Sequence, residues 1–388
     1  MKILHTSDWH LGHTLYNYDR TEEQLAMLSQ MVHIVERERP DVFLLCGDVY
    51  HTSQPSASVQ TMMAEALVRI HAANPLMTIV VTAGNHDSAA RHEIFRTPWQ
   101  ALNVHTIGYL TKDDLERHII EIPEKGYVIA VPYISVRNMP EKFFQRLLDA
   151  VAARNLRGLP VVMMAHTTVG GCDFTGHDHA SEFTVGGIDS IDLGEMGEGY
   201  DYMALGHIHR GQSVRCDKGN VRYCGTPLPV TFDECFAHTV SLVSIDEHGS
   251  VPEIKKIGID NLYPLVTLPV SGSATWDEAK RLLAGFPDEI PAYIRLNVEV
   301  EDFLPVDANA EAVLLTKNKK CRFCYINAVR KSEMRSSEKV LSVQEFQSEM
   351  PVDIARRYAE DMGVEFDNEM QRLFIEALLL VDNDSRIV

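Results

Sequence analysis

The chain has 388 residues, well above the roughly 150 residues of a typical domain, so we expect at least two domains. Hydrophobic residues make up 45% and charged residues 23% of the sequence, which excludes a disordered or fibrous protein. No apolar run approaches the roughly 18 residues of a membrane helix, and the N-terminus turns polar too early for a signal peptide. We therefore expect a cytoplasmic protein without membrane association.

The net charge argues against a general attraction to nucleic acid. The 36 Lys and Arg residues face 55 Asp and Glu residues, for a formal charge of −19. The charge is uneven, because residues 316–339 hold eight basic and two acidic residues, whereas residues 340–388 hold four basic and eleven acidic residues. Any polyanion must therefore be held by local groups or metal ions, not by the overall field.

The first part of the chain alternates predicted strands with predicted helices. Apolar runs predict strands over residues 2–6, 41–46, 78–83, 127–132, 161–166, 201–205, 221–224 and 238–245. Helical spacing of apolar residues predicts helices over 22–38 and 57–72. This alternation predicts an α/β domain with mixed sheets flanked by helices.

The pattern restarts near residue 260. Five segments predict a compact β-α-β-α-β unit: 265–270, 276–284, 293–300, 308–316 and 321–329. After a basic stretch, a helix capping box at Ser342 and Glu345 begins short amphipathic helices, which either pack back on the body or bind a partner. We expect a main domain over 1–260, a smaller cap domain over 261–335, and a linker with C-terminal helices over 336–388.

Five short motifs place His, Asp or Asn directly after apolar strands. They are Asp8-Trp-His10, Gly47-Asp48, Gly84-Asn85-His86-Asp87, His166 and Gly206-His207-Ile-His209. Each motif alone is compatible with an ordinary turn or a core histidine, but five together are hard to explain by turns. Since the carboxyl ends of strands in an α/β sheet face one crevice, we expect the motifs to converge.

The residue types in these motifs indicate two divalent metal ions. Imidazole, carboxylate and carboxamide groups without a thiolate suit ions such as Mn, Fe or Zn. The candidate ligands are Asp8, His10, Asp48, Asn85, His166, His207 and His209. They are too many for one ion but suit two ions that share a carboxylate, for which Asp48 is the natural candidate. The expected reaction is hydrolysis of a phosphoester.

The five motifs, complete and in order, resemble the signature of the calcineurin-like metallophosphoesterases. Longer segments also resemble bacterial nuclease subunits of this family that act with an SbcC-type ATPase: residues 5–12, 83–88, 167–170, 204–210 and 222–234. The resemblance carries specific motifs from Met1 to about residue 245. Beyond that point it rests on the order and length of the elements.

The resemblance implies a role for each motif residue. One ion would be held by Asp8, His10, Asp48 and His209, and the other by Asp48, Asn85, His166 and His207, with Mn²⁺ as the usual ion. His86 would act on the leaving oxygen, with Asp87 orienting its ring, and His51 would lie near the scissile phosphate. Tyr16 and Arg91, from loops around the motifs, are candidate DNA contacts through stacking and phosphate binding.

The resemblance further implies a Mn-dependent DNA nuclease of DNA repair and recombination. Such an enzyme is a 3′-to-5′ exonuclease on duplex ends and an endonuclease on single strands or hairpins, built as a homodimer joined to an SbcC-type ATPase. The cap domain would cover the active site and the C-terminal helices would bind the ATPase. The alternatives are a phosphoesterase of small molecules and an inactive scaffold on the same fold.

Overall fold

In the computed structural model, the apolar segments form two six-stranded sheets and one three-stranded sheet. The structure describes residues 1–173, 190–214, 220–301 and 303–330, together with residue 356 and residues 370–372. The C-terminal helices that we predict from residue 342 onward lie outside the described residues, apart from those last two fragments. Within the described part of the chain, no helix is long and apolar enough to cross a bilayer.

The regular elements follow the chain in this order. The strands are β1 (Lys2–Thr6), β2 (Val42–Cys46), β3 (Thr78–Thr82), β4 (Val104–Ile107), β5 (Ile119–Ile122), β6 (Gly126–Val131), β7 (Val161–His166), β8 (Tyr202–Gly206), β9 (Gln212–Ser213), β10 (Val221–Tyr223), β11 (Thr239–Ser244), β12 (Glu253–Gly258), β13 (Leu265–Leu268), β14 (Tyr293–Val300) and β15 (Arg322–Arg330). The helices are α1 (Thr21–Glu38), α2 (Ala57–Ala73), α3 (Ala89–Ile94), α4 (Arg96–Gln100), α5 (Phe143–Ala152), α6 (Trp276–Ala284) and α7 (Ala308–Thr316).

The first two sheets are mixed, as the sequence predicts. The first has the order β12-β11-β1-β2-β3-β4, and the second has the order β5-β6-β7-β8-β10-β9. Strands β1 to β4 pair in parallel, as do β6 to β8. The central strands read as unbroken apolar runs because both of their faces are buried. Parallel pairing also brings the carboxyl ends of neighbouring strands to one edge of each sheet.

The two sheets pack face to face across an apolar core. Leu44 and Val80 of the first sheet lie in one apolar cluster with Val128, Met164 and Ala204 of the second sheet. Helices α1 and α2 cover the outer face of the first sheet, and α5 covers that of the second. The core therefore lies in three layers, one between the sheets and one beneath the helices on each side.

The predicted strands and helices of the first 245 residues are confirmed, with their bounds shifted by at most one residue. The sequence pattern misses three helices, α3, α4 and α5, and four strands, β4, β5, β9 and β12. Strand β12 pairs with β11 along its whole length, yet its side chains are mostly exposed at the sheet edge. Its sequence is therefore polar and lacks the apolar run by which a buried strand is identified.

The smaller β-α-β-α-β arrangement is present in the predicted order, with its strands in one sheet, β13-β14-β15. Residues 1–298 and 304–328 form one compact unit. Within this unit, the Tyr293 hydroxyl donates to the Glu23 carboxylate over 2.6 Å, and Arg20 pairs with the same carboxylate at 2.9 Å. These buried polar contacts join β14 to the start of α1.

Truncation of Leu44 to Ala should destabilise the protein by about 2–5 kcal/mol, because the side chain is fully buried between the sheets and leaves a cavity. Urea unfolding of the purified protein measures the change. Leu156→Ala is the matched control, since that leucine is 91% exposed and its loss should cost less than about 0.5 kcal/mol. Equal losses in both variants would contradict the stacked-sheet core.

Candidate metal centre

The five polar motifs lie at the carboxyl ends of five strands. Strands β1, β2 and β3 of the first sheet are followed by the motifs of Asp8, Asp48 and Asn85. In the second sheet β7 ends at His166, and β8 is followed by His207. Because β1, β2 and β3 run parallel, as do β7 and β8, and the two sheets are stacked, the loops after these five strands meet, as the sequence predicts.

Six of the candidate ligands form two groups. Within each group, the nitrogen and oxygen atoms that could bind an ion all lie within 4.8 Å of one another. The first group is Asp8, His10 and His209, and the second is Asp48, His166 and His207. Each group therefore combines one carboxylate with two imidazoles, which is a donor set for a divalent ion.

The seventh candidate, Asn85, lies with the second group. Its Oδ1 atom is 3.0 Å from His166 Nε2 and 3.0 Å from His207 Nδ1. The Asp48 carboxylate lies between the groups, since its Oδ2 atom is 3.3 Å from His166 Nε2 and 3.9 Å from His10 Nε2. The seven predicted side chains are thus brought together, with Asp48 in the central position.

Three histidines form a further group on one side of this centre. One ring nitrogen each of His10, His51 and His86 lies within 4.8 Å of the others. The His86 ring donates from Nδ1 to the His51 carbonyl over 2.9 Å, and its centroid is 5.0 Å from that of His10. His13 adds a fourth ring, 4.6 Å from His51. His86 and His51 are therefore next to the candidate ligands.

Four candidate ligands have a left-handed backbone conformation, which residues other than Gly rarely adopt. The φ angles are 53° at Asp8, 44° at His10, 47° at Asp48 and 98° at His207. Such conformations cost on the order of 1–3 kcal/mol each and persist only where the surrounding structure holds them. Here the His10 N–H donates to the Asp48 carbonyl over 3.0 Å, and the His207 N–H donates to the Asp8 carboxylate over 3.1 Å.

Two glycines let the backbone approach these side chains. A Cβ atom at Gly47, where φ is +80°, would lie 2.2 Å from His166 Nδ1. A Cβ atom at Gly84 would lie 2.1 Å from Asp48 Oδ1. Both positions therefore require glycine, for close contact with the candidate ligands.

The two carboxylates of the centre are buried. Asp8 is 0% and Asp48 2% exposed. Burial raises the pKa of Asp8. Burial would also raise the pKa of Asp48, but the charge of His166 and its hydrogen bond outweigh burial and lower that pKa well below its usual range. Among the described residues, neither carboxylate pairs with Lys or Arg, so their balancing charge must come from imidazolium or a bound cation.

The histidines of the centre differ in the direction in which their pKa values are shifted. Burial lowers the pKa of His10 well below its usual value, and the neutral ring that results is the form that binds metal. Burial also opposes the charged form of His166, but Asp48 outweighs it and raises the pKa of His166 to about 9. An imidazolium therefore balances Asp48 where no metal is bound, and a divalent ion would replace that proton. The donor atoms, their spacing and their charge balance fit divalent cations.

The Asp87 carboxylate has partners other than the one that the family resemblance implies, which is the ring of His86. In the structure this carboxylate accepts from three backbone N–H groups. These belong to Val49, Tyr50 and Gly84, at 2.9–3.1 Å. The ring of His86 is held instead by the carbonyl of His51. Asp87 therefore braces the loop after β2 against the loop after β3, because parallel pairing places these two loops side by side.

The two predicted substrate contacts lie in different surroundings. Tyr16 is 44% exposed and stacks on Tyr325, with ring centroids 4.5 Å apart. Arg91 donates to the Ser53 carbonyl and to the Gln60 side chain. The structure thus leaves Tyr16 open to solvent, whereas Arg91 contacts Ser53 and Gln60 and not the clustered histidines.

Several residues near the centre are not among the predicted site residues. Tyr133 lies with its ring 6.2 Å from His166 and 6.4 Å from His207, and it is 41% exposed. The Glu234 carboxylate accepts from His209 Nδ1 over 2.8 Å. Glu234 ends the last of the longer segments that carry the family resemblance, but no spacing rule pairs it with a histidine far away in the sequence.

Comparison with known proteins agrees with this geometry. The family model of calcineurin-like phosphoesterases matches residues 1–211. The SbcD subunit of the nuclease SbcCD from Rhodobacter capsulatus is 32% identical, over 72% of this chain and 74% of that protein. The SbcD subunit from Escherichia coli strain K12 is 25% identical, over 97% of this chain and 98% of that protein. The SbcD subunit from Bacillus subtilis strain 168 is 27% identical, over 97% of this chain and 97% of that protein. The chain belongs to the calcineurin-like phosphoesterase family and is a relative of the SbcD subunits of SbcCD nucleases.

Proposed function

We propose that this chain is a metal-dependent DNA nuclease. The observation that carries the proposal is the meeting of two groups of candidate ligands, Asp8 with His10 and His209 and Asp48 with His166 and His207, within one crevice. A phosphoesterase centre and relatives named as nuclease subunits together favour a phosphodiester of DNA as the substrate.

We assign Asp8, His10, Asp48 and His209 to one divalent ion and Asp48, Asn85, His166 and His207 to the other, with Mn²⁺ as the ion. When bound, such a pair supplies positive charge to the phosphate oxygens and activates water for an in-line displacement. The chain itself contributes a carboxylate, Asp48, whose position between the two groups suits a shared ligand.

His86 is the proposed proton donor to the leaving oxygen. The His51 carbonyl accepts from its Nδ1 atom, which orients the ring and leaves Nε2 as the nitrogen that can transfer a proton to the leaving oxygen. His51 is the proposed contact for the scissile phosphate, since its ring stacks beside that of His86 with centroids 5.6 Å apart.

Exposed aromatic rings could hold the nucleotides around the centre. Tyr16 and Tyr133 are 44% and 41% exposed, and base stacking on such rings tolerates any sequence. Two divalent ions would add about four positive charges at the cleavage point, which locally opposes the acidic character of the chain. We therefore favour single strands and frayed ends as substrates. The family resemblance, and not this geometry, is the basis for proposing 3′-to-5′ exonuclease activity on duplex ends and endonuclease activity on single strands or hairpins.

The relatives are named as subunits of a complex, which supports an SbcC-type ATPase as the partner. We assign the ATPase contact to the C-terminal helices predicted in residues 336–388, the cap to residues 261–335 and the nuclease domain to residues 1–260. The complete assembly would contain a homodimer of this chain and would act in DNA repair and recombination.

Mn²⁺ should support cleavage of end-labelled single-stranded DNA by the purified full-length chain, and EDTA should abolish it. A gel assay with and without the ATPase measures both the activity and the end from which degradation starts. Hydrolysis of bis(p-nitrophenyl) phosphate without cleavage of DNA would favour the small-molecule phosphoesterase. Absence of Mn²⁺ binding and of all cleavage would favour the inactive scaffold.

His86→Ala should lower kcat by about 10²- to 10⁴-fold while leaving the metal content unchanged, because we place the ring outside the ligand set. Asp48→Ala should lose bound metal as well as activity, since both ions share that carboxylate. Elemental analysis beside the DNA assay separates the two effects. His33→Ala, at an exposed position of α1, is the control that should change neither. Equal metal loss in the His86 and Asp48 variants would contradict the division of roles.

Deletion of residues 340–388 should abolish binding to the SbcC-type ATPase while preserving Mn²⁺-dependent cleavage of single strands, because the proposed centre lies entirely before residue 210. Co-purification of a tagged ATPase with the full-length and shortened chains measures the binding. Retention of the shortened chain on the ATPase would show that the contact lies elsewhere.

A further inference from the structure

The loop between β10 and β11 supports the centre from a part of the chain that lies beyond the family-model match, which ends at residue 211. The Thr226 hydroxyl donates to the Asp8 carbonyl over 2.8 Å, and the Thr226 N–H donates to the His209 carbonyl over 3.0 Å. This loop therefore holds the backbone of two members of the first ligand group.

One side chain of this loop contacts a candidate ligand directly. Glu234 Oε1 lies 2.8 Å from His209 Nδ1, and the Glu234 side chain is 0% exposed. The other oxygen, Oε2, accepts from the Val230 N–H over 3.2 Å. The carboxylate is thus fixed in orientation, and one of its oxygens is directed at the imidazole.

This contact determines which nitrogen of His209 can bind a metal ion. An ionised carboxylate only accepts hydrogen bonds, so the proton of the His209 ring lies on Nδ1. The lone pair is then on Nε2, the atom that lies 3.1 Å from His10 Nε2 in the first ligand group. A carboxylate on the far nitrogen of a ligating histidine also raises the basicity of the ring and fixes its orientation.

The backbone next to Glu234 is itself anchored to the three-stranded sheet. Arg295 on β14 pairs with Asp233 at 2.7 Å, and its guanidinium lies 5.3 Å from the centre of the Phe232 ring. Phe232 also meets Tyr325 on β15 edge to face, with centroids 5.8 Å apart. The position of Glu234 relative to His209 therefore rests on packing outside the first two sheets.

We infer that Glu234 is a positioning residue for the divalent ion held by Asp8, His10 and His209. The inference rests on the proposed function, because it takes these three residues as ligands. It predicts an effect on one ion of the pair, since the second group of Asp48, His166 and His207 has no contact with Glu234 among the described hydrogen bonds and ion pairs.

Calorimetric titration of the metal-free full-length protein with Mn²⁺, together with Mn²⁺ EPR to count bound ions, tests the inference without an activity assay. The wild-type protein should bind two ions. Glu234→Ala should weaken one of them by about 10- to 100-fold and leave the other unchanged. Glu234→Gln should lose less affinity for the same ion, because its amide oxygen can still accept from Nδ1. If the Ala variant does not fold, the Gln variant is used to test the inference.

Asp201→Asn is the matched control. Asp201 is another buried carboxylate, 2.9 Å from His248 Nδ1 and bound to backbone N–H groups, but it lies at the opposite end of β8 from His207. Its replacement should lower the melting temperature and leave both Mn²⁺ affinities unchanged.

Two results for the folded Glu234 variants would overturn the inference: wild-type affinity for both ions, or an equal loss of both. Neither result contradicts the proposed function. A wild-type protein that binds no Mn²⁺ would instead overturn the proposed function itself, so the two failures are distinguishable.

Discussion

Two carboxylates are buried where the loops of the two stacked sheets meet, and this burial constrains everything around them. Asp8 and Asp48 have almost no contact with solvent, and removal of a carboxylate from water is costly unless donors or cations surround it. The backbone N–H groups of His207 and His86 donate hydrogen bonds to these carboxylates, and imidazole rings lie next to both carboxylates. The same burial that makes the two carboxylates unfavourable without a cation would favour the binding of a cation between them.

The strained backbone conformation at the centre is a second unfavourable contribution to the free energy of folding. Asp8, His10, Asp48 and His207 all have positive φ angles, and their loops hold one another in place through hydrogen bonds between residues far apart in the chain. The buried sheets beneath the loops make this possible, because parallel pairing fixes where each loop begins. The packing of the buried sheets thereby maintains the strained backbone of these loops. The strained backbone in turn directs the side chains of the candidate ligands toward one another.

Support for the centre is not confined to the segment that matches the family model. Thr226 and Glu234 contact members of the first ligand group, and Phe232 joins the same loop to the three-stranded sheet. Tyr293 of that sheet donates to Glu23 of α1, so the sheet is joined to the main body at a second place. The small sheet is therefore part of the framework that holds the loops of the candidate ligands.

Residue patterns alone were enough to predict the alternation of strands and helices and the seven candidate ligands. Apolar periodicity reports which faces are buried, and the residue types at the strand ends report which chemistry is possible. Folding in three dimensions was needed to establish that the strands divide into two stacked sheets, that Asp87 braces two loops, and that Glu234 holds His209 across 25 residues. These features could not be predicted because a hydrogen-bond partner depends on where two loops meet in space, and neither residue type nor local spacing contains that information.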